Sequence, residues 1–188
     1  MAGDRFNWRL PLYAMLGAFV LFVPVALCEP FISFLVYALV ILIISLVFGA
    51  LLLMDAIARK TWRCLSTLSI LAMFWATSAI LVGNYLAVRT AARWLVWSHD
   101  YKVKVLAEPA PPNGELKHTE WDGWGFAGAG DTTVFVVFDP TDSLSAAAAS
   151  HQSGKFSGIP CDVFRVRRLE SHWYTAQFYT DEYWGQCN

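Results

Sequence analysis

The sequence predicts three membrane-spanning helices followed by a small α+β, mainly antiparallel-β, soluble C-terminal domain. Only 15% of the 188 residues are charged, whereas an average soluble chain has about 25%. Three long uncharged stretches lie before residue 89, and later segments alternate as β-strands do. We therefore expect a three-helix transmembrane region at residues 1–98 and a soluble domain at residues 99–188.

The three uncharged stretches are residues 12–28, 31–54 and 64–88. A helix needs about 20 apolar residues to cross a bilayer core about 30 Å thick. The second and third stretches meet this length, and we expect the third helix to extend past the membrane. The first has 17 residues and contains Pro24, which tilt or local thinning of the bilayer accommodates. Between the first two, Glu29 and Pro30 predict a tight turn, because proline suits the first turn of a helix.

The first stretch also has features of a cleaved signal peptide, since a basic start and an apolar core precede Cys28. However, Leu27 is larger than the small residue that cleavage requires. The second apolar stretch also begins within three residues of Cys28. We therefore interpret the first stretch as a retained helix.

The positions of Lys and Arg predict the orientation, because positive charges favour the cytoplasmic side. Five of them lie on the N-terminal side of the membrane and four follow the third span: Arg5, Arg9, Arg59, Lys60 and Arg63, against Arg89, Arg93, Lys102 and Lys104. We expect a cytoplasmic N-terminus and a periplasmic or otherwise extracytoplasmic C-terminal domain, in a bacterial inner membrane.

The distribution of charge excludes some functions. Up to Asp100 the net charge is +3 and from Tyr101 onward it is −4, so the soluble half lacks the basic footprint that nucleic acid requires. None of the three spans contains an acidic, basic or histidine side chain, which argues against coupled transport. We expect no cofactor, and the lipid bilayer is the first predicted partner.

Small residues recur at four-residue spacing on the predicted spans, as at Ala79, Gly83 and Ala87. Small side chains allow the backbones of two helices to approach closely. One interpretation is packing among the three helices of this chain. The other is a homo-oligomer or a contact with a partner membrane protein.

In the soluble half, alternation at residues 101–106 predicts a strand, and residues 132–138 predict a buried one. Residues 162–168 and 173–179 predict two further strands joined in a hairpin. A short helix is expected at residues 144–149, capped by Asp142 or Ser143. The segment at residues 123–128 matches G-x-G-x-x-G, but a strand follows it instead of the helix that a dinucleotide site needs. We expect a turn there.

Several side chains are candidate binding or catalytic residues. A recognition loop is the alternative to a turn at this segment, because Trp121, Trp124 and Phe126 would be costly to expose without a partner. His118, Glu120 and Asp122 alternate and are weak candidates for a metal site; a solvated strand edge is the simpler interpretation. A catalytic pair of His151 or His172 with Cys161 also remains open.

The C-terminal segment supplies the remaining candidates. Cys161 and Cys187 predict a disulfide if the domain lies in an oxidising compartment. Arg165 and Arg167 share one strand face and are candidates for contact with an anionic headgroup or an acidic partner. Trp184 belongs to an aromatic tail that is larger than a small core needs, which suggests a binding surface.

These patterns favour a non-enzymatic membrane-anchored interaction module. Its extracytoplasmic domain would bind a protein or an envelope component in an accessory, sensor or immunity-like role. One alternative is a structural subunit of a larger membrane complex, acting through the small-residue helix faces. Another is a membrane-tethered enzyme that uses His118, Glu120 and Asp122, or the pairing of a histidine with Cys161.

Overall fold

The structure is a computed structural model that describes residues 9–109, 111, 114–125, 131–179 and 184–187. The chain divides into two compact units, Met1–Arg93 and Trp94–Asn188. Three helices of the first unit are long and apolar enough to cross a membrane: α1 (Arg9–Ala26), α2 (Pro30–Ile57) and α3 (Thr61–Gly83). A fourth helix, α4 (Tyr85–Ala107), begins in the first unit and ends in the second.

The turn between α1 and α2 is as short as the sequence predicts. Pro30 is the first residue of α2, where its missing N–H leaves no hydrogen bond unmade. The carboxylate of Glu29 accepts a hydrogen bond from the backbone N–H of Ile32 at 3.0 Å and so caps the helix. A cap of this kind satisfies one of the four N–H groups that a helix start leaves without partners.

Aromatic side chains and hydroxyls hold the first unit together. Phe22 packs edge-on against Tyr37 and Tyr85, with ring centroids 4.8 and 6.3 Å apart. The hydroxyl of Tyr37 forms a 2.9 Å hydrogen bond with Ser78, which joins α2 to α3 within the apolar core. Between the same two helices, the indole N–H of Trp75 donates to the Ser45 hydroxyl at 3.1 Å.

The third apolar stretch is interrupted at Asn84, whereas we expected one continuous helix. α3 ends at Gly83 and α4 begins at Tyr85. The side-chain amide of Asn84 donates to the carbonyl of Ile80 at 2.8 Å, and the backbone N–H of Asn84 donates to the same carbonyl at 3.0 Å. Asparagine therefore competes with the backbone for a helix carbonyl, a known way of ending a helix.

Arg89 is almost completely buried, with 4% of its surface exposed. Its guanidinium donates to the carbonyl of Ala26 at 2.7 Å and to the carbonyl of Cys28. These carbonyls lie at the end of α1, where a helix leaves C=O groups without intrahelical donors. Arg89 thus caps α1, a role that the count of positive charges did not anticipate.

The small residues of the third stretch face outward. Ala18 of α1 is fully buried, in agreement with packing inside the chain. The residues on one face of α3 are exposed, so packing among the three helices is wrong as an explanation for Ala72, Ala76, Ala79 and Gly83. We call these four residues the small-residue face.

The second unit contains a four-stranded antiparallel sheet in the order β1-β2-β4-β3. Its strands are β1 (Lys117–Gly125), β2 (Asp131–Phe138), β3 (Arg165–Glu170) and β4 (Trp173–Tyr179). A short helix, α5 (Ser145–Ser150), follows β2. The predicted strand at residues 132–138, the strand at 173–179 and the hairpin joining β3 to β4 are confirmed, while β3 begins three residues later than predicted.

The two faces of the sheet carry separate cores. On one, which we call the helix face, Trp94, Tyr101 and Val105 of α4 pack against strand residues Trp121, Val136 and Trp173. On the other, which we call the loop face, α5 and residues 151–164 cover strand residues that include Val137, Tyr174 and Phe178.

The predicted strand at residues 101–106 is wrong, because these residues form the last turns of α4. Tyr101 and Val105 lie four residues apart, so a helix places them on one side, and both pack on the helix face of the sheet. Lys102 forms an ion pair with Glu170 of β3. Over six residues, the alternation of Lys and Val is compatible with a strand or with a helix. The packing of Tyr101 and Val105 against the sheet selects the helix.

Candidate binding site on the sheet

A β-bulge in β1 separates the three candidate metal ligands. His118 and Glu120 pair with Val137 and Phe135, on the loop face, but the register shifts between Glu120 and Asp122. Asp122 consequently pairs with Val134, on the helix face, so the expectation that all three share one side is wrong. Among the described residues, no group of three His, Cys, Asp or Glu side chains is placed to hold a metal ion.

The first part of the glycine motif lies in a strand. Gly123 and Gly125 belong to β1 and pair with β2, so the expected turn is wrong for these two residues. A Cβ at Gly125 would lie 1.6 Å from a carboxylate oxygen of Asp131, so the Asp131 side chain would have to move to accept a larger residue there. Residues 126–130, including Phe126, lie outside the described residues. The antiparallel pairing of the motif with β2 also differs from the strand-to-helix turn of a dinucleotide site.

Trp121 is buried in the helix-face core, so its predicted exposure to a partner is wrong. It is 5% exposed and stacks between Tyr101 and Trp94, at 5.4 and 5.6 Å between ring centroids. Trp121 is the extra residue of the bulge and lies on the same face as Thr119, two residues earlier, so its side chain packs against α4. The sequence showed the aromatic residue but not the helix that covers it.

Trp184 lies against the loop face and is therefore on the opposite side of the sheet from Trp124. Its ring stacks on His118 with 3.6 Å between centroids, and its N–H donates to Glu115 at 3.0 Å. Three residues later, Cys187 forms a disulfide with Cys161. The contacts of Trp184 with His118 and Glu115 therefore hold the C-terminal segment against the domain. Trp184 and Trp124 do not form a common surface.

The pairing of Cys161 with Cys187 bears on the predicted catalytic pair. The sulfur of Cys161 is bonded and fully buried, so the structure holds no thiol at this position for a histidine to activate. His151 is the residue after α5, and its backbone N–H donates to the carbonyl of Ala147. With Cys161 in the disulfide, neither Cys161 nor His151 belongs to a nucleophile–base pair among the described residues.

A polar cluster that sequence reasoning missed connects two turns of the domain. Asp142 accepts hydrogen bonds from the Tyr174 hydroxyl, from the backbone N–H of His172 at 3.0 Å and from Arg168 at 3.1 Å. These hydrogen bonds, the one from Tyr174 first, lower the pKa of Asp142. Burial and the bond to Asp142 raise the pKa of Tyr174 to about 12. The contacts join the turn after β2 to the β3–β4 hairpin.

Asp139 organises the same turn from inside. Burial on its own would raise the pKa of this carboxyl group, but hydrogen bonds from Thr141, Leu144 and Ser143 outweigh it and lower the pKa. The carboxylate of Asp139 accepts a hydrogen bond from the backbone N–H of Leu144, the residue before α5, at 2.9 Å. Asp139 therefore takes the capping role that we expected of Asp142 or Ser143. Aspartate that bonds the backbone a few residues later is a turn signal that the sequence does contain.

Arg165 and Arg167 lie together on the helix face of β3, as the sequence predicts. They pair with Gln177 and Thr175 of β4, and Gln177 in turn pairs with Val134 of β2. Both arginines are half-buried. Burial, and next the charge of Arg165, lower the pKa of Arg167. Trp124 occupies the same face on β1, opposite Thr132.

Of the six predicted binding residues, the structure therefore brings together the arginine pair and places Trp124 on the same face of the sheet. Trp121 is part of a core, Trp184 lies on the other face, and Phe126 is not described. Comparisons with known protein families, with curated proteins and with solved structures find no match for this chain.

Proposed function

We propose that the protein is a membrane-anchored interaction module with a cytoplasmic N-terminus in a bacterial inner membrane. In this proposal α1, α2 and α3 span the bilayer, and the C-terminal domain binds a protein or an envelope component on the extracytoplasmic side. The role is that of an accessory, sensor or immunity-like protein.

The outward apolar surface of the three helices carries the membrane part of this proposal. On α2, Leu46, Met54 and Ile57 are 65%, 66% and 75% exposed, and few residues of the helix are buried. Water disfavours contact with so much hydrocarbon, and contiguous apolar patches of this size are rare on soluble monomers. A bilayer covers such surfaces without a protein partner.

The disulfide supports an extracytoplasmic position of the second unit. Structural disulfides persist in the periplasm and outside cells, whereas the cytosol keeps thiols reduced. Both cysteines of the second unit, Cys161 and Cys187, form this bond. The two remaining cysteines, Cys28 and Cys64, belong to the first unit and have free thiols.

The arginine pair supports a binding role for the domain. Arg165 and Arg167 are half-buried side by side on a domain whose net charge is negative. A surface that holds two like charges together favours an anionic group between them, because their mutual repulsion is then relieved.

Reporter fusions test the topology. A C-terminal alkaline phosphatase fusion of the full chain is expected to be active, and a C-terminal GFP fusion dark. An inactive phosphatase fusion together with a fluorescent GFP fusion would contradict the proposed orientation.

Co-purification from native membranes, with Arg165→Gln/Arg167→Gln as the comparison, tests the binding role. A partner retained equally by both proteins would rule out the arginine pair as its site.

A second candidate function is that of a structural subunit of a larger membrane complex. The small-residue face favours it, because Ala72, Ala76, Ala79 and Gly83 are exposed in the part of the chain that the structure describes. A Cβ built on Gly83 meets no atom within 4 Å. Close helix pairing in membranes uses faces of this kind. Ala79→Leu is expected to dissociate such a complex on native gels while Ala91→Leu, also exposed but on α4, leaves it intact; no change with Ala79→Leu would argue against this candidate.

A further inference from the structure

The register of the sheet places two guanidinium groups next to each other on the helix face. Arg165 and Arg167 are two residues apart on β3, so their Cα atoms lie about 7 Å apart and their side chains leave the same side. Their side chains are long enough to converge on one small ligand. Gln177, directly across from Arg165, adds an amide donor beside them.

Neither guanidinium is neutralised within the part of the chain that the structure describes. Arg165 lies over the Phe164 ring, with 5.8 Å between the guanidinium carbon and the ring centroid, and no described carboxylate pairs with Arg165 or Arg167. Glu170, on the same strand, binds Lys102 and the indole N–H of Trp94. Asp122 is in the same cross-strand row as Arg165 but three strands away.

Arg168, on the same strand, differs from the arginine pair because it has a structural role. It follows Arg167 directly, points to the other side of the strand and forms an ion pair with Asp142 at 3.1 Å. Of these three arginines, one therefore has an acid partner among the described residues and two have none there.

We propose that Arg165 and Arg167 bind a phosphate group. A guanidinium presents a planar fork of N–H donors, and a single fork satisfies a carboxylate. Two forks on neighbouring positions of one strand face suit a tetrahedral anion, whose several oxygens can accept bonds from both at once. This inference deepens the proposed function, on which it rests for the binding role of the domain. The phosphate belongs either to a lipid headgroup or to a soluble phosphorylated compound.

The test uses the full chain in dodecyl maltoside with ¹⁵N-labelled arginine. The Nε–H signals of Arg165 and Arg167 are followed while inorganic phosphate replaces chloride at constant ionic strength. We expect a saturable shift of both signals, and at least about tenfold weaker binding of acetate, because a carboxylate engages one fork only. Equal responses to phosphate and acetate, or shifts that never saturate, would overturn the proposal.

Variants separate the site from general electrostatics. Arg165→Gln and Arg167→Gln are each expected to weaken phosphate binding about tenfold or more, whereas Lys155→Gln, an exposed charge on a loop, leaves it unchanged. If the glutamine variants do not fold, Arg165→Lys and Arg167→Lys keep the charge, lose the planar fork and are expected to bind more weakly. Equal binding by wild type and these variants would refute the site.

Two further arms identify the source of the phosphate. In nanodiscs of digalactosyldiacylglycerol, which has no phosphate, addition of phosphatidylglycerol shifts the two arginine signals and blocks added glycerol 3-phosphate if the ligand is a lipid headgroup. If the ligand is soluble, the lipid change has no effect and glycerol 3-phosphate still binds. An active phosphatase fusion without phosphate binding would remove only this inference, whereas an inactive fusion would remove the topology and leave the binding result standing.

Discussion

Loss of the disulfide between Cys161 and Cys187 has a predictable effect on the stability of the C-terminal domain. The two cysteines are 26 residues apart, and in the chain-entropy model a loop of this length stabilises a fold by about 3.5 kcal/mol. Cys187→Ala removes the bond at its exposed end and leaves the buried Cys161 in place, so no cavity is added to the core. We expect the free energy of unfolding to fall by about this amount.

Urea titration of the full chain in detergent, followed by tryptophan fluorescence, measures this change. With a slope of about 1.5 kcal/mol per molar urea, the midpoint should move down by about 2 M. Dithiothreitol should lower the wild-type midpoint equally, and Cys64→Ala, which removes a free thiol, should not change it. A Cys187→Ala midpoint within about 0.5 M of wild type would refute the reasoning. It would mean that the Trp184 contacts alone hold the C-terminal segment.

Three further predictions concern the helix cap, the aromatic core and acid stability. Arg89→Met should destabilise the full chain in detergent by about 1–3 kcal/mol, because the carbonyls at the end of α1 lose their donor; an unchanged melting temperature would contradict the capping role. Trp121→Leu should cost about 2–3 kcal/mol in urea titration, more than Trp124→Leu, since only Trp121 stacks between two rings. The pKa of Asp142 is lowered in the fold, so its contribution is present above the unfolded pKa of about 3.9 and is lost as the pH falls through the lower folded value. Asp142→Asn should therefore weaken the dependence of the urea midpoint on pH below about 4, and an identical acid limb in both proteins would count against this.

The elements that sequence reasoning located share a strong and local signal. The three apolar stretches predict α1, α2 and α3, which the structure shows as helices long and apolar enough to cross a membrane. β2 and β4 are rich in β-branched and aromatic residues, and the short connection between the predicted strands 162–168 and 173–179 favours a hairpin.

The elements that it missed depend on distant contacts. Residues 101–106 alternate like a strand, but Tyr101 and Val105 also have helical spacing, and only the sheet beneath them selects the helix. The bulge at Trp121 is a change of register that leaves no local mark in the sequence. Arg89 gave no signal as a cap, because its acceptors are more than sixty residues away.

The candidate site was predictable in part. Arg165 and Arg167 share a face because strand periodicity is two, which the sequence states directly. Trp121 lies under α4, and Trp184 lies on the loop face near the disulfide-bonded C-terminal end. A strand pattern reveals neither position. The aspartate cluster had a usable signal in the Asp139 turn, but its connection to Tyr174 and His172 is a tertiary contact.

The bulge in β1 also bears on how the sheet avoids aggregation. β1 and β3 are its two outermost strands, and an outermost strand offers unpaired backbone groups to any passing chain. The bulge breaks the regular spacing of those groups on one border, and the row of arginines on β3 adds repulsion between copies on the other. Both features disfavour pairing between the outer strands of two copies of this sheet.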